Sequence, residues 1–253
     1  MTYCLAISID AGLVFVSDSR TNAGVDNVST YSKMYKFGVD GERQYVILSS
    51  GNLATTQGVI SQVKRDIKQF KQINLMTISH MADAADYLGH INCMVQEKHT
   101  GGGASFEASF IIGGQIASSK PSIYLVYPQG NHITTSKDTT YLQVGESKYG
   151  KPILDRILSP SSSLETAALC GLVSMDSTMR SNLTVGPPIE MSIYDKDSYV
   201  LNRYHRFEDD SEYLRQLKRS WDSNLKDAFS KLPPIAWSGN WDRTGDEKNE
   251  NSI

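Results

Sequence analysis

A strand that is apolar on both of its faces is the feature that most limits how this chain folds. Residues 13–18 are almost entirely apolar up to the final Ser-Asp, a composition typical of a strand that is covered on both sides. Residues 3–9 alternate between larger and smaller side chains with the period of two that marks a strand. The Asp-Ala-Gly sequence between them predicts a three-residue hairpin loop, with Gly12 in the left-handed conformation. We therefore expect the chain to begin with an antiparallel pair of buried strands.

Beyond this hairpin, helical patterns occur in pairs and antiparallel strands separate the pairs. Apolar residues at helical spacing predict helices over residues 52–72, 79–96, 152–158, 164–180 and 211–232. Alternating or short apolar runs predict further strands at residues 34–39, 44–49, 105–112, 122–127, 132–134, 141–144, 189–194 and 199–205. The order contains no βαβαβ run, which argues against a Rossmann sheet. The arrangement that buries these elements is an α+β fold, a four-layer αββα sandwich of two antiparallel sheets flanked by helices.

Residues 2–232 are predicted to form a single domain, and residues 233–253 a polar C-terminal tail. The last helix carries one apolar stripe, which we expect to face inward, made of Leu214, Leu217, Trp221, Leu225 and Phe229. Pro233-Pro234 ends this helix. The tail that follows is polar and weakly acidic, and chain termini of this composition are commonly loose.

Composition excludes several classes of function. The 253 residues are 40% hydrophobic and 21% charged, with a net charge of −3, which fits a globular protein and argues against nucleic acid as a partner. The apolar runs of four or five residues are far shorter than the about 20 that a membrane span needs. No signal peptide is visible, and three widely spaced cysteines suit a reducing cytoplasm. The five histidines lack metal-ligand spacing, so no metal site is predicted.

Thr2 is the residue with the clearest potential for chemistry. Removal of Met1 would leave a free N-terminal threonine at the start of the first strand. Its hydroxyl can act as a nucleophile, and its own α-amine, with a pKa of about 7.7–8.0, can accept the proton near neutral pH. Threonine is common as the second residue of a chain, so this position alone does not identify a catalyst.

Asp18 and Lys33 give the N-terminal threonine a polar neighbourhood. If Ile9 pairs with Leu13 across the hairpin loop, Cys4 lies opposite Asp18, and Thr2 and Asp18 share a face. A carboxylate at the end of an apolar strand needs a partner, and Lys33 is the candidate. The ordinary interpretation of such a pair is a strand-end aspartate and an unrelated surface lysine.

Residues 13–24 give these positions a common context, because the run Leu-Val-Phe-Val-Ser-Asp-Ser-Arg-Thr-Asn-Ala-Gly resembles the signature of proteasome β subunits. Thr2 lies at the expected distance before the signature, and Lys33 lies within a residue of its expected place after it. Ser49-Ser50-Gly51 is similar to the step that opens the first long helix in that family. The Asp176 to Asn182 segment is similar to a later family segment. The resemblance covers most of residues 2–206 and is specific in the first 55.

Within this family the bacterial ancestral β-subunit branch, Anbu, is the most similar. The Met-Thr-Tyr-Cys start, the stretch 18–26, the Gly-Asn-Leu-Ala-Thr-Thr sequence at 51–56 and the segment 175–183 all resemble that branch. The resemblance implies an N-terminal-nucleophile hydrolase fold and a threonine peptidase that acts through an acyl-enzyme. It also implies self-association into a large homo-oligomer, as a ring or an open helical assembly, and no cofactor.

The resemblance also implies a role for each site residue. Thr2 is the nucleophile and base, and Lys33, held by Asp18, lowers the pKa of the threonine hydroxyl. The backbone N–H of Gly51 binds the oxyanion. Asp176 and a nearby serine orient the α-amine, but Met179 stands where the family has that serine. The candidate hydroxyls in its place are Ser181 and, by a looser match, Ser147. The specificity pocket is implied to comprise Thr21, Tyr31, Tyr35, Ser49 and Leu53.

Two other classes of function stay open at this point. One is an oligomeric scaffold or binding subunit with little turnover. The other is an amidase that acts on a small non-protein amide, because the same nucleophile serves acyl transfer in general. The co-occurrence of Thr2, Asp18, Lys33 and Gly51 favours a peptidase, since a scaffold needs none of them. The sequence does not specify an unfoldase or adaptor partner.

Overall fold

The computed structural model describes residues 2–22, 28–98 and 106–235. The chain divides into two compact units, Met1–Ser211 and Glu212–Ile253, which are described separately. Met1, residues 23–26 of the stretch 18–26 and residues 236–253 of the predicted tail lie outside the described residues. The predicted domain boundary at residue 232 stays a prediction.

Two five-stranded antiparallel sheets form the first unit. The first sheet has the order β10 (Tyr141–Gly145), β1 (Tyr3–Ile9), β2 (Gly12–Asp18), β11 (Ile189–Asp195) and β12 (Arg203–Phe207). The second has the order β5 (Met34–Val39), β6 (Arg43–Gly51), β7 (Ala108–Ile116), β8 (Ser122–Val126) and β9 (His132–Thr134). A small ribbon pairs β3 (Arg20–Asn22) with β4 (Val28–Thr30). Every residue of β2 is buried, which confirms that this strand is covered on both faces.

The sheets face each other, and helices cover their outer surfaces. Apolar side chains of both sheets, among them Phe15, Leu48 and Ile111, form one cluster between the layers. A second cluster packs α1 (Leu53–Lys68) and α2 (Met81–Glu97) on the far side of the second sheet. On the first sheet, α4 (Leu164–Ser181) lies against β1 and β2, with α3 (Lys151–Ile157) beside it. The predicted αββα sandwich is confirmed.

The register of the first hairpin differs from the prediction by one residue. Ile9 pairs with Gly12, and Cys4 pairs with Ser17, so Asp10 and Ala11 form a two-residue loop and Asp18 falls opposite Tyr3. Gly12 belongs to the sheet, where a Cβ atom would lie 2.1 Å from the carbonyl oxygen of Tyr194. Glycine at position 12 therefore allows β11 to approach β2 closely. Because Asp18 lies opposite Tyr3, the prediction that Thr2 and Asp18 share a face of the sheet is wrong.

The second unit contains the helix α5 (Glu212–Ser230). Along the predicted apolar stripe of α5, Leu214, Leu217 and Trp221 are half-buried, and no residue of the helix is fully buried. Phe229 is 75% exposed and Leu225 is 53% exposed. No helix in the described part of the chain combines the length and apolar character needed to cross a membrane.

Candidate active site

Thr2 lies immediately before β1, in contact with the end of β10. Its side chain and backbone are largely buried, and its carbonyl oxygen accepts a hydrogen bond of 2.7 Å from the N–H of Glu146. Gly145 has a φ of +86°, and a Cβ atom there would lie 2.0 Å from the Thr2 carbonyl oxygen. Glycine is therefore required where β10 closes on Thr2.

Asp18 and Lys33 form a buried ion pair. The Nζ of Lys33 lies 2.7 Å from Oδ1 of Asp18, and the two side chains are 8% and 0% exposed. The ammonium also donates to the carbonyl oxygen of Arg20 at 2.6 Å. The carboxylate accepts backbone N–H bonds from Tyr3 at 3.1 Å and Gly186 at 3.3 Å. Asp18 is thus held by three donors, although the hairpin register differs from the predicted one.

Burial shifts the pKa values of the ionisable groups in and beside the pair. Burial raises the pKa of Asp18, and the Lys33 ammonium opposes this shift. Burial also raises the pKa of the Cys4 thiol, which donates to the carbonyl oxygen of Ser49. A protonated, buried thiol is not a nucleophile, so Cys4 is not a candidate for nucleophilic chemistry.

A cavity of about 470 Å³ joins these residues. Thr2, Lys33 and Gly51 line it together with four residues of the predicted specificity pocket, Thr21, Tyr35, Ser49 and Leu53. Tyr31 is not among the lining residues; it is 41% exposed, and its N–H donates to the carbonyl oxygen of Ser19. Five further residues, which the sequence did not assign to the site, line the cavity: Ser32, Ser50, Asn52, Thr56 and Gly145.

Gly51 and the start of α1 form one wall of the cavity. Gly51 has a φ of +114°, and a Cβ atom would lie 2.4 Å from the carbonyl oxygen of Glu107. Asn52 caps the helix, with its side-chain oxygen accepting the N–H of Thr55 at 3.2 Å. The partial positive charge of a helix N-terminus favours a developing negative charge. An N-cap residue directly before an apolar-periodic run is a sequence signal that identifies Asn52.

The residues predicted to orient the α-amine lie outside the cavity lining. Asp176 is half-buried within α4, Ser181 is exposed at its last residue, and Ser147 is half-buried after β10. Asn182, next to Ser181, instead reaches this region: its side-chain N–H donates to Oε2 of Glu146 at 2.9 Å. Because the N–H of Glu146 donates to the Thr2 carbonyl oxygen, the end of α4 is linked to Thr2 through Glu146.

Comparisons with known proteins agree with this geometry. The family model described as "Proteasome subunit" matches residues 2–194. A search of curated proteins gave no match. The chain is similar to Anbu, the ancestral β-subunit, from Yersinia bercovieri, with 43% identity over 92% of this chain and 99% of that chain and a TM-score of 0.88.

Two further solved structures show the same likeness. The helical assembly of the Anbu complex from Pseudomonas aeruginosa has 42% identity over 93% of this chain and 99% of that chain, with a TM-score of 0.89. Anbu from Hyphomicrobium sp. strain MC1 has 40% identity over 92% of this chain and 99% of that chain, with a TM-score of 0.86. The chain therefore belongs to the proteasome subunit family and is similar within it to the Anbu proteins.

Proposed function

We propose that this chain is a threonine peptidase that uses Thr2, exposed by removal of Met1, to hydrolyse peptide bonds through an acyl-enzyme. The observation that carries the proposal is the cavity that brings Thr2, Lys33 and Gly51 together, with Lys33 fixed by the buried carboxylate of Asp18. A buried ion pair is a weak source of stability, so a charged pair beside a nucleophile is better explained by chemistry.

The proposed reaction begins at the Thr2 hydroxyl. The free α-amine accepts the hydroxyl proton while Oγ attacks the carbonyl carbon of the substrate. The Lys33 ammonium stabilises the developing alkoxide, and the Gly51 N–H stabilises the tetrahedral oxyanion. The protonated amine then gives its proton to the leaving amine, and an ester on Thr2 remains. Water, deprotonated by the same α-amine, hydrolyses this ester and releases the second product.

The remaining assignments stay part of the proposal. Asp176 with Ser181 or Ser147 orients the α-amine. The substrate side chain contacts the predicted specificity pocket, made of Thr21, Tyr31, Tyr35, Ser49 and Leu53. No cofactor is needed for these steps.

The proposal is tested by labelling Thr2 with a peptide vinyl sulfone and measuring the intact mass of the chain. We expect one adduct per chain on Thr2, in protein that has lost Met1. Thr2→Ala and Lys33→Ala are expected to abolish the adduct, whereas the control Lys151→Ala, on the exposed helix α3, is expected to keep it. Retention of Met1, or unchanged labelling of Lys33→Ala, would contradict the proposal.

Turnover of short peptides against small free amides distinguishes a peptidase from an amidase. We expect cleavage of peptides in preference to amides, because the cavity of about 470 Å³ is large enough for a side chain and adjoining backbone. Labelling without turnover of either substrate class would favour the scaffold alternative.

We also propose that the chain forms a large homo-oligomer in the cytoplasm. The Pseudomonas aeruginosa relative is described as a helical assembly, and α5 leaves Leu225 and Phe229 exposed. The three free cysteines favour a reducing compartment. Light scattering on the purified chain is expected to give a mass many times that of one subunit, and a monomer would contradict the proposed assembly.

A further inference from the structure

Glu190 is a second buried carboxylate beside the site, and the proposed mechanism does not use it. It lies in β11, where it pairs with Ser17 of β2, and is 3% exposed. A buried carboxylate is costly unless it accepts several hydrogen bonds. The groups that donate hydrogen bonds to Glu190 therefore indicate which segments of the chain it holds in place.

Both serines bonded to Glu190 are chain neighbours of the ion pair. The hydroxyl of Ser19, which directly follows Asp18, donates to Oε2 at 3.2 Å. The hydroxyl of Ser32, which directly precedes Lys33, lies 2.8 Å from the same oxygen. One carboxylate oxygen thus connects the segment that carries Asp18 to the segment that carries Lys33.

Ser32 has one hydroxyl proton and two acceptors within reach, Oε2 of Glu190 at 2.8 Å and the carbonyl oxygen of Met34 at 3.0 Å. The bond to the Glu190 carboxyl oxygen is the shorter of the two. The N–H of Met34 donates back to the Ser32 oxygen at 3.3 Å. The serine is therefore oriented toward Glu190.

The other oxygen of Glu190 faces outward. The hydroxyl of Tyr204 in β12 donates to Oε1 at 2.6 Å, and the Lys36 ammonium lies 3.8 Å from the centre of the Tyr204 ring. Burial and the hydrogen bond to Glu190 raise the pKa of Tyr204 to about 12, which keeps its hydroxyl a donor. This bond leads away from the ion pair and provides an internal control.

We propose that Glu190 is a positioning residue, which holds Lys33 at the correct distance from Thr2 by anchoring Ser19 and Ser32. The inference rests on the proposed function, because it assigns Glu190 a role in placing the ammonium that activates Thr2. Its action depends on hydrogen bonds to both serines and not on negative charge. A glutamine can preserve those bonds, since its amide oxygen accepts from the serines while its NH₂ donates to the oxygen of Tyr204.

The test compares labelling of Thr2 by the peptide vinyl sulfone in three variants, with the maximal labelling rate and the half-saturating probe concentration measured separately. Glu190→Leu is expected to lower the maximal rate about tenfold with little change in half-saturation, because a small displacement of a catalytic group slows the reaction. Glu190→Gln is expected to recover to within about threefold of the original chain. Tyr204→Phe, which removes only the outward bond, is expected to keep the original rate.

Two outcomes would overturn the proposal: a maximal rate in Glu190→Leu equal to that of the original chain, or a rate in Glu190→Gln as low as that of the leucine variant. If the leucine variant does not fold, Ser32→Ala removes the link to Lys33 while leaving the carboxylate in place. A reduced maximal rate in Ser32→Ala supports the proposal, and an unchanged rate contradicts it.

A second measurement is independent of activity and so separates this proposal from the proposed function. The N–H of Tyr31 donates to the carbonyl oxygen of Ser19 at 2.9 Å, so its hydrogen exchange reports whether the two segments stay together. Absence of labelling in the original chain would reject the peptidase proposal alone. Faster exchange at Tyr31 in Glu190→Leu than in Tyr204→Phe would still support the anchoring role, and equal exchange would reject it.

Discussion

Replacement of Lys33 by methionine should destabilise the fold as well as stop catalysis. The methionine side chain is similar in shape to that of lysine, but the substitution removes the ammonium that lies 2.7 Å from Oδ1 of Asp18. Asp18 is fully buried, so its carboxylate cannot replace the lost bond with bulk water. Removal of one partner of a buried ion pair costs about 3–5 kcal/mol.

The contacts that remain place the loss at the lower end of this range. Asp18 keeps the backbone N–H bonds from Tyr3 and Gly186, so we expect Lys33→Met to lower the free energy of unfolding by about 3 kcal/mol. The double variant Asp18→Asn/Lys33→Met removes both charges of the pair, and the amide oxygen of the new asparagine can still accept the N–H of Tyr3. We expect its loss to be about 1 kcal/mol, close to the net value of a hydrogen bond.

The pH dependence of this loss has a definite sign. Burial already raises the pKa of Asp18 while Lys33 opposes the shift, so removal of the ammonium raises that pKa further. A group whose pKa is raised in the folded state stabilises the protein at low pH and loses that contribution as pH rises through the folded value. The deficit of Lys33→Met relative to the original chain should therefore shrink as the pH is lowered.

Urea unfolding measures these differences. One fixed subunit concentration is used for all variants, because any self-association would contribute to the stability. The double variant with its two single variants forms a cycle that isolates the coupling of the pair. A loss below about 1 kcal/mol in Lys33→Met, or a double variant as unstable as Lys33→Met, would show that the pair is not the buried unit described above.

Two further predictions concern the surroundings of Thr2. Gly145→Ala is expected to prevent labelling of Thr2 and to lower the melting temperature strongly, since the new Cβ would lie 2.0 Å from the Thr2 carbonyl oxygen. The matched control is Gly41→Ala, because Gly41 has a similar φ of +80° but no atom within 4 Å of the added Cβ. This control should lose only about 1–2 kcal/mol of stability to backbone strain and keep its labelling. Equal effects of the two substitutions would refute the clash at Gly145. Alkylation of the native chain should modify Cys93 well before Cys4, because Cys93 is only half-buried and burial raises the pKa of the Cys4 thiol. Peptide mass spectrometry measures the order, and modification of Cys4 first would contradict the prediction.

Local patterns in the sequence were sufficient to predict the layers of the fold. The period of two before residue 10 and the apolar run after it describe strands whatever they pack against. Paired helical stripes between antiparallel strands then leave few ways to bury all the apolar faces. The candidate residues Thr2, Asp18, Lys33 and Gly51 were predicted for a related reason, since they lie in the first 51 residues, where the family resemblance is specific.

The hairpin register could not be read in the same way. The Asp-Ala-Gly sequence suits a three-residue loop, but the close approach of Tyr194 in β11 requires Gly12 within the strand. The contact that decides the register thus comes from a strand more than 170 residues later in the sequence. The exposure of Leu225 and Phe229 in α5 could not be predicted for a similar reason, because the spacing of an apolar stripe indicates a helix but not which residues pack against it.

Periodicity along the chain was enough to predict the element order and the buried central strands. A short motif was enough to name Thr2, Asp18, Lys33 and Gly51 as candidates for the proposed mechanism. Three contacts became visible only in the folded chain: Gly145 closes on Thr2, Asn182 reaches Glu146, and Glu190 accepts hydrogen bonds from Ser19 and Ser32. These contacts join residues far apart in the chain, and no local pattern encodes them. They exist because the first sheet places β10 and β11 beside β1 and β2, although β10 and β11 lie far from that hairpin in the sequence.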